Sequence, residues 1–118
     1  GCSCVGMCGA TSWFSEIVGV SMDGPDLSEQ GMRLVGTGHL GTREGPLAQF
    51  IYEYNNGGRF SLTLHRHLDN QPILRFEVVE YPSRTGGYWS TSDIDYAMIG
   101  AGGSTKIQTL AHRLGAGG

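Results

Sequence analysis

Three cysteines, Cys2, Cys4 and Cys8, crowd the opening stretch GCSCVGMC, and no other cysteine follows. Thiolates are soft ligands, and three of them on one flexible arm can converge on Zn²⁺ or Cu(I). A structural zinc site takes four protein ligands, so a histidine from elsewhere would have to complete it. Redox chemistry is the alternative. Cys4 and Cys8 are close enough along the chain to form a disulfide, and the odd third thiol is left for an intermolecular bond. A third reading makes the segment an arm outside the folded domain whose thiols do little.

The second constellation is LHRH. Residues two apart on a strand face one side, so His65 and His67 would project together with Ser61 and Thr63 as an open two-histidine clamp. Asp69 continues that face and His39 could approach from an earlier strand. A water-facing sheet surface carrying hydroxyls, imidazoles and an acid is the simpler explanation of the same pattern. Nucleophilic catalysis has less to stand on. There is no G-x-S-x-G elbow, and the glycine-rich GTGHLG and GAGGS lack the GK[ST] ending of a phosphate loop. GAGGS precedes a helix whose N-terminus could attract an anion weakly, but turn formation explains it as well.

Aromatic residues form the third group. Tyr52, Tyr54, Tyr88 and Trp89 lie on strand-like stretches, where such side chains pack a core or pair across strands. If one sheet face is uncovered, some of them would offer a surface to a protein partner or to a second copy of the chain, and an edge strand offers another route to self-association.

The elements that must position these residues follow from periodicity. TSWFSEIVG sets Trp13, Phe14, Ile17 and Val18 on one helical face behind a Ser12 cap, predicting a short N-terminal helix. MRLVGTGHL reads as a first strand, weakened or bulged at Gly36 and Gly38. In AQFIYEYNNGGRFSLTLHRHL, Ala48, Phe50, Tyr52 and Tyr54 alternate with polar or outward residues. NNGG then turns the chain, and Phe60, Leu62 and Leu64 resume the alternation, which is a β-hairpin. ILRFEVVEY predicts a strand with Leu74, Phe76 and Val78 on one face. GYWST and DYAMIG predict two more, joined by a tight turn at Ser92 and Asp93. STKIQTLAHRLG is an amphipathic helix: Ser104 caps it, Ile107, Leu110, Ala111 and Leu114 form its apolar stripe, and Gly115 ends it. The expected fold is α+β. An antiparallel meander of five or six strands is flanked by a short N-terminal helix and a C-terminal helix packed on one face. Residues 1–9 form the cysteine arm, 10–115 the single domain and 116–118 a tail.

Composition narrows the function classes. A length of 118 residues suits one domain with a real core. Net charge is −3, and the eight Lys and Arg are scattered without a stripe, which argues against a nucleic-acid partner. No run reaches the roughly 18 apolar residues of a membrane helix. A start at Gly1 leaves room for an upstream targeting or spanning segment.

From Pro25 onward, PDLSEQGMRLVGTGHL, PLAQFIYEYNNGGRFSLTL, ILRFEVVEY, GYWSTSDIDYAMIG and TKIQTLAHRLG succeed one another in an order that resembles the extracytoplasmic domain of bacterial transmembrane anti-sigma factors. The resemblance spans Ser12 to Leu114, with Trp13 and Phe14 matching a tryptophan-bearing segment of that family. It departs from the family where a His-x₃-Cys-x₂-Cys zinc motif and a membrane helix would stand, so this chain by itself should not hold a sigma factor. What the resemblance implies is a non-enzymatic sensing or protein-interaction module acting in transcription regulation, without a cofactor. Its place would be extracytoplasmic, or cytoplasmic for a stand-alone relative. A metal- or redox-responsive protein using Cys2, Cys4, Cys8 and perhaps His65 and His67 is the rival, and a small enzyme ranks third.

Overall fold

The computed structural model describes residues 27–43, 45–55, 57–101 and 103–114. The cysteine arm, the expected N-terminal helix at Ser12–Val18, the Gly115 cap and the tail lie outside these residues. A 3-10 turn, Ser28–Gln30, leads into six strands: β1 (Met32–Thr42), β2 (Gly45–Tyr54), β3 (Arg59–Arg66), β4 (Glu77–Tyr81), β5 (Arg84–Ser90) and β6 (Ile94–Gly100). Helix α1 (Gly103–Arg113) follows. It begins before Ser104, which therefore sits in its first turn and not at the cap.

The strands form one sheet in the order β1-β2-β3-β6-β5-β4, and every neighbouring pair is antiparallel. The single continuous meander expected from short connections is corrected here. Two three-strand meanders, β1-β2-β3 and β4-β5-β6, are joined by pairing of β3 with β6. Segment 67–76 carries the chain from the middle of the sheet to its far edge. Alternation encodes which side a residue faces but not which strand lies beside it, so the pairing Leu62–Met98 and Leu64–Tyr96 was invisible in the sequence. The strand expected from Ile73 is likewise shortened to its second half. Leu74 is spent on the crossover, where its carbonyl accepts a single bond from Ser90 N at 2.6 Å.

Local chemistry explains the rest. Gly57 supplies φ +91° for the β2–β3 hairpin, whose mouth is closed by Tyr54 N donating to Gly58 O at 2.7 Å. The register slips between Leu34 and Gly36, a bulge at the expected glycine. One sheet face is apolar: Ala48, Phe50 and Tyr52 from β2, Phe60, Leu62 and Leu64 from β3, Met98 from β6 and Trp89 from β5 are all almost fully buried, together with Ile107, Leu110 and Ala111 of α1. Alternation requires that the other face carry the intervening residues. α1 settles closely on β5 because Gly87 has no side chain: a Cβ there would lie 2.6 Å from Ile107 Cγ2. The helix is further tied by Lys106 Nζ, 4.0 Å above the Tyr54 ring, and by Arg113 donating to Glu29 at 3.1 Å.

Candidate functional site: the sheet face opposite the helix

Cross-strand register sorts the face opposite α1 into rows. Gly36, Ile51, Ser61, Ile99, Gly86 and Val79 form one row, and Gly38, Gln49, Thr63, Ala97, Tyr88 and Glu77 the next. The middle of the face is therefore small and half-apolar. Among the described residues, only the crossover 67–76 reaches over it, at one end. That end holds the row Leu40, Leu47, His65, Asp95 and Ser90. The opposite end holds the row Arg33, Glu53, Arg59, Ala101 and Arg84, one residue beyond the pairs Phe60–Gly100 and Thr85–Gly100.

At the crossover end Asp95 is the hub. Its Oδ1 accepts from Ser90 Oγ at 2.7 Å and lies 2.6 Å from His67 Nδ1, while Oδ2 lies 3.7 Å from His65 Nδ1. The second nitrogen of His67, Nε2, faces the carbonyl of Gln71 at 2.9 Å. Carboxylate and carbonyl oxygens only accept, so this arrangement favours the doubly protonated ring, which alone can donate from both nitrogens. The hydrogen bond to Asp95 raises its pKa above the ordinary histidine value, outweighing the burial that would lower it. His67 N also donates to Asp93 O at 2.8 Å, so backbone and side chain together pin the start of the crossover to the β5–β6 turn. Between this strap and the sheet lies an open cleft of about 480 Å³ lined by His65, Tyr88, Ser90 and Asp95 on one side and by Gln71, Pro72 and Leu74 on the other.

The expected two-histidine clamp is thereby divided. β3 ends at Arg66, so His67 has left the strand period. Its nitrogens are turned to Asp95 Oδ1 and to the Gln71 carbonyl and away from His65 as a co-ligand. His65 stays on the face and is half-exposed, with Nδ1 3.1 Å from Arg66 O. His39 pairs with Ala48 on the apolar side, its ring edge-on to Phe50 at 6.0 Å, and Asp69 lies in a turn past the strand. Among the described residues no three histidine, cysteine or acidic side chains converge as metal ligands. Cys2, Cys4 and Cys8 lie outside the described residues.

The aromatic surface expected at Tyr52, Tyr54, Tyr88 and Trp89 is also corrected. Tyr52, Tyr54 and Trp89 occupy inward positions and are at most 7% exposed. Trp89 stacks on Tyr96 at 4.9 Å and Tyr52 on Phe60 at 5.1 Å, as core aromatics do. Of these four, Tyr88 is the one on the face that α1 does not cover. Its ring lies along the strand over Gly86, where a Cβ would come 2.6 Å from Tyr88 Oη, and that hydroxyl is 2.7 Å from Tyr81 Oη. This bond, with burial, pushes the Tyr88 phenol up to about 12.

Ser90 and Asp95 were not singled out from sequence. The sequence signal was slight: Asp95 takes an outward strand position between inward Ile94 and Tyr96, as any solvent-facing acid does. Chemically, the order Ser90–Asp95–His67 is not a nucleophile relay. Ser90 donates to the acid, and both nitrogens of His67 face Asp95 and Gln71, so neither faces the Ser90 hydroxyl as a base would.

Comparison with protein-family models, with curated proteins and with solved structures finds no match.

Proposed function

We propose that this domain is a non-enzymatic recognition module whose working surface is the sheet face opposite α1, used to sense a signal or engage a partner, as the resemblance to anti-sigma-factor sensor domains implies. The observation that carries the reading is the strapped cleft at the crossover end. Hydrogen-bonding groups are organised there around Asp95 and open to solvent beside Pro72, Leu74 and Tyr88, and the serine, acid and histidine are connected in an order that sets no base on the serine hydroxyl. Binding sites place a few polar groups on an apolar ground in this manner. The same face, with its long neighbouring edge strand β1 exposing Val35 and Leu40, suits a protein partner.

The reading is tested by titrating ¹⁵N-labelled protein with a defined mixture of small polar fragments and following amide shifts. Shifts concentrated on residues 61–65, 86–90 and 95–99 support recognition by this face. Shifts confined to α1, or ester hydrolysis that Ser90→Ala abolishes, would refute it.

A further inference from the structure

The other end of the same face carries a second cleft, of about 350 Å³, between Arg59 on β3 and Arg84 on β5, with Ile51, Ile99 and Ala101 beneath it and the hydroxyl-bearing Ser61 and Ser83 at its margins. The two arginines share one register row, Arg59–Ala101–Arg84, and are separated only by the end of β6, so their backbones stand about 10 Å apart. Both side chains are exposed, and each reaches further than half that separation. Arg59 gives its Nε to Glu53 Oε2 at 3.1 Å, and the other oxygen of Glu53 is taken by Arg33 at 2.9 Å. One carboxylate thus faces two guanidiniums, which hold its pKa below the ordinary glutamate value. Arg84 makes no ion pair with any described residue. The row of three guanidiniums and one carboxylate keeps an excess of positive charge at the mouth of a cleft with an aliphatic floor. Glu80, the nearest acid on β4, pairs with Thr85 and so belongs to the opposite side of the sheet.

We propose that this cleft binds a carboxylate carried on an aliphatic body. The guanidinium fork matches a planar carboxylate in two-point fashion. Ile51 and Ile99 take the hydrocarbon, and the Ser61 and Ser83 hydroxyls stand where they can donate to the second oxygen or to a flanking amide. A bare inorganic anion would satisfy the charge but leave the isoleucine floor wet, whereas a neutral alcohol of the same length would leave Arg84 uncompensated. Two sources present this chemistry: a free short-chain acid, and the C-terminal carboxylate of a peptide ending in an aliphatic residue.

The inference rests on the reading of this face as a recognition surface, and its test is separable from that one. ¹⁵N-labelled protein is titrated with hexanoate, 1-hexanol, inorganic phosphate, and a blocked tripeptide ending in leucine with its C-terminus free or amidated. Saturable shifts of the Ser61, Ile99 and Ala101 amides with hexanoate, and much weaker ones with hexanol and phosphate, are expected. Tighter binding of the free-acid peptide than of hexanoate identifies a chain terminus as the source, and the reverse order identifies a free acid. Arg84→Gln, at an exposed position and without loss of a side-chain bond to any described residue, should weaken hexanoate binding about fivefold. Adding Arg59→Gln should weaken it further. Equal binding of phosphate, equal binding of hexanol, the absence of saturable shifts at this end, or an unchanged affinity in Arg84→Gln would each overturn the proposal. Shifts confined to the His65 end in the fragment titration would sink it while leaving the broader reading intact.

Discussion

Replacing Gly87 by alanine tests the contact that decides which sheet face is covered. The backbone there is not left-handed, so alanine is conformationally allowed, and the new methyl would come 2.6 Å from Ile107 Cγ2 and 3.4 Å from the Phe76 ring. The first distance is far inside van der Waals contact, and the partner is a fully buried side chain on a helix also tethered at Tyr54 and Glu29. Overpacking of this kind costs about 1–3 kcal/mol. Loss of glycine freedom in the unfolded chain returns roughly 0.4–1 kcal/mol, leaving a net loss on the order of 1–2 kcal/mol. For a domain of this size that is a fall in melting temperature of about 4–8 °C, measurable by far-ultraviolet circular dichroism. Ile107→Ala alone removes a buried aliphatic side chain and should cost about 2–5 kcal/mol. In that background Gly87→Ala should become neutral or stabilising, because the methyl then enters the space Ile107 vacated. A double-mutant cycle with coupling near zero would show that α1 does not rest on β5 at this point, and the assignment of the opposite face as the open one would fall with it.

The remaining expectations concern the sheet face opposite α1 and, last, one close contact on the covered side. Because the pKa of the buried His67 is raised by its bond to Asp95, its contribution to stability is complete below about 6.5 and is lost as pH rises through the folded-state value. Urea midpoints should therefore decline with rising pH across that range, and His67→Gln should flatten the decline. An unchanged slope in the variant would contradict the assignment. Asp95→Ala removes the acceptor shared by His67 and Ser90, and should speed hydrogen exchange at the amides of His67 and Ser90 that anchor the crossover, while amides in the β2–β3 hairpin stay protected. Tyr81→Phe should bring the Tyr88 phenol down from about 12 toward its ordinary value of 10.0, read by ultraviolet absorbance titration. Gly100→Ala should be severely destabilising, since a Cβ there collides with the backbone and Cβ of Phe60 in the neighbouring strand.

The elements of the domain were legible residue by residue. Alternation of Ala48, Phe50, Tyr52 and Tyr54 against Gln49, Ile51 and Glu53 declared a strand and which of its sides would be dry. NNGG declared the hairpin, and Ile107, Leu110 and Ala111 declared the buried stripe of the last helix. These are short-range facts: the period of a side chain and the φ a glycine tolerates are written within a few residues. Neighbourhood is not. Nothing near Arg66 announces that the chain will cross to the far edge and return, so β6 could not be placed beside β3. Without that placement His67 could not be told from His65, nor Asp95 joined to Ser90, nor Arg59 aligned with Arg84. Pairing across more than 25 residues is chosen by the whole core at once, through the fit of Leu62 and Leu64 against Met98 and Tyr96, and both candidate clefts are consequences of that choice.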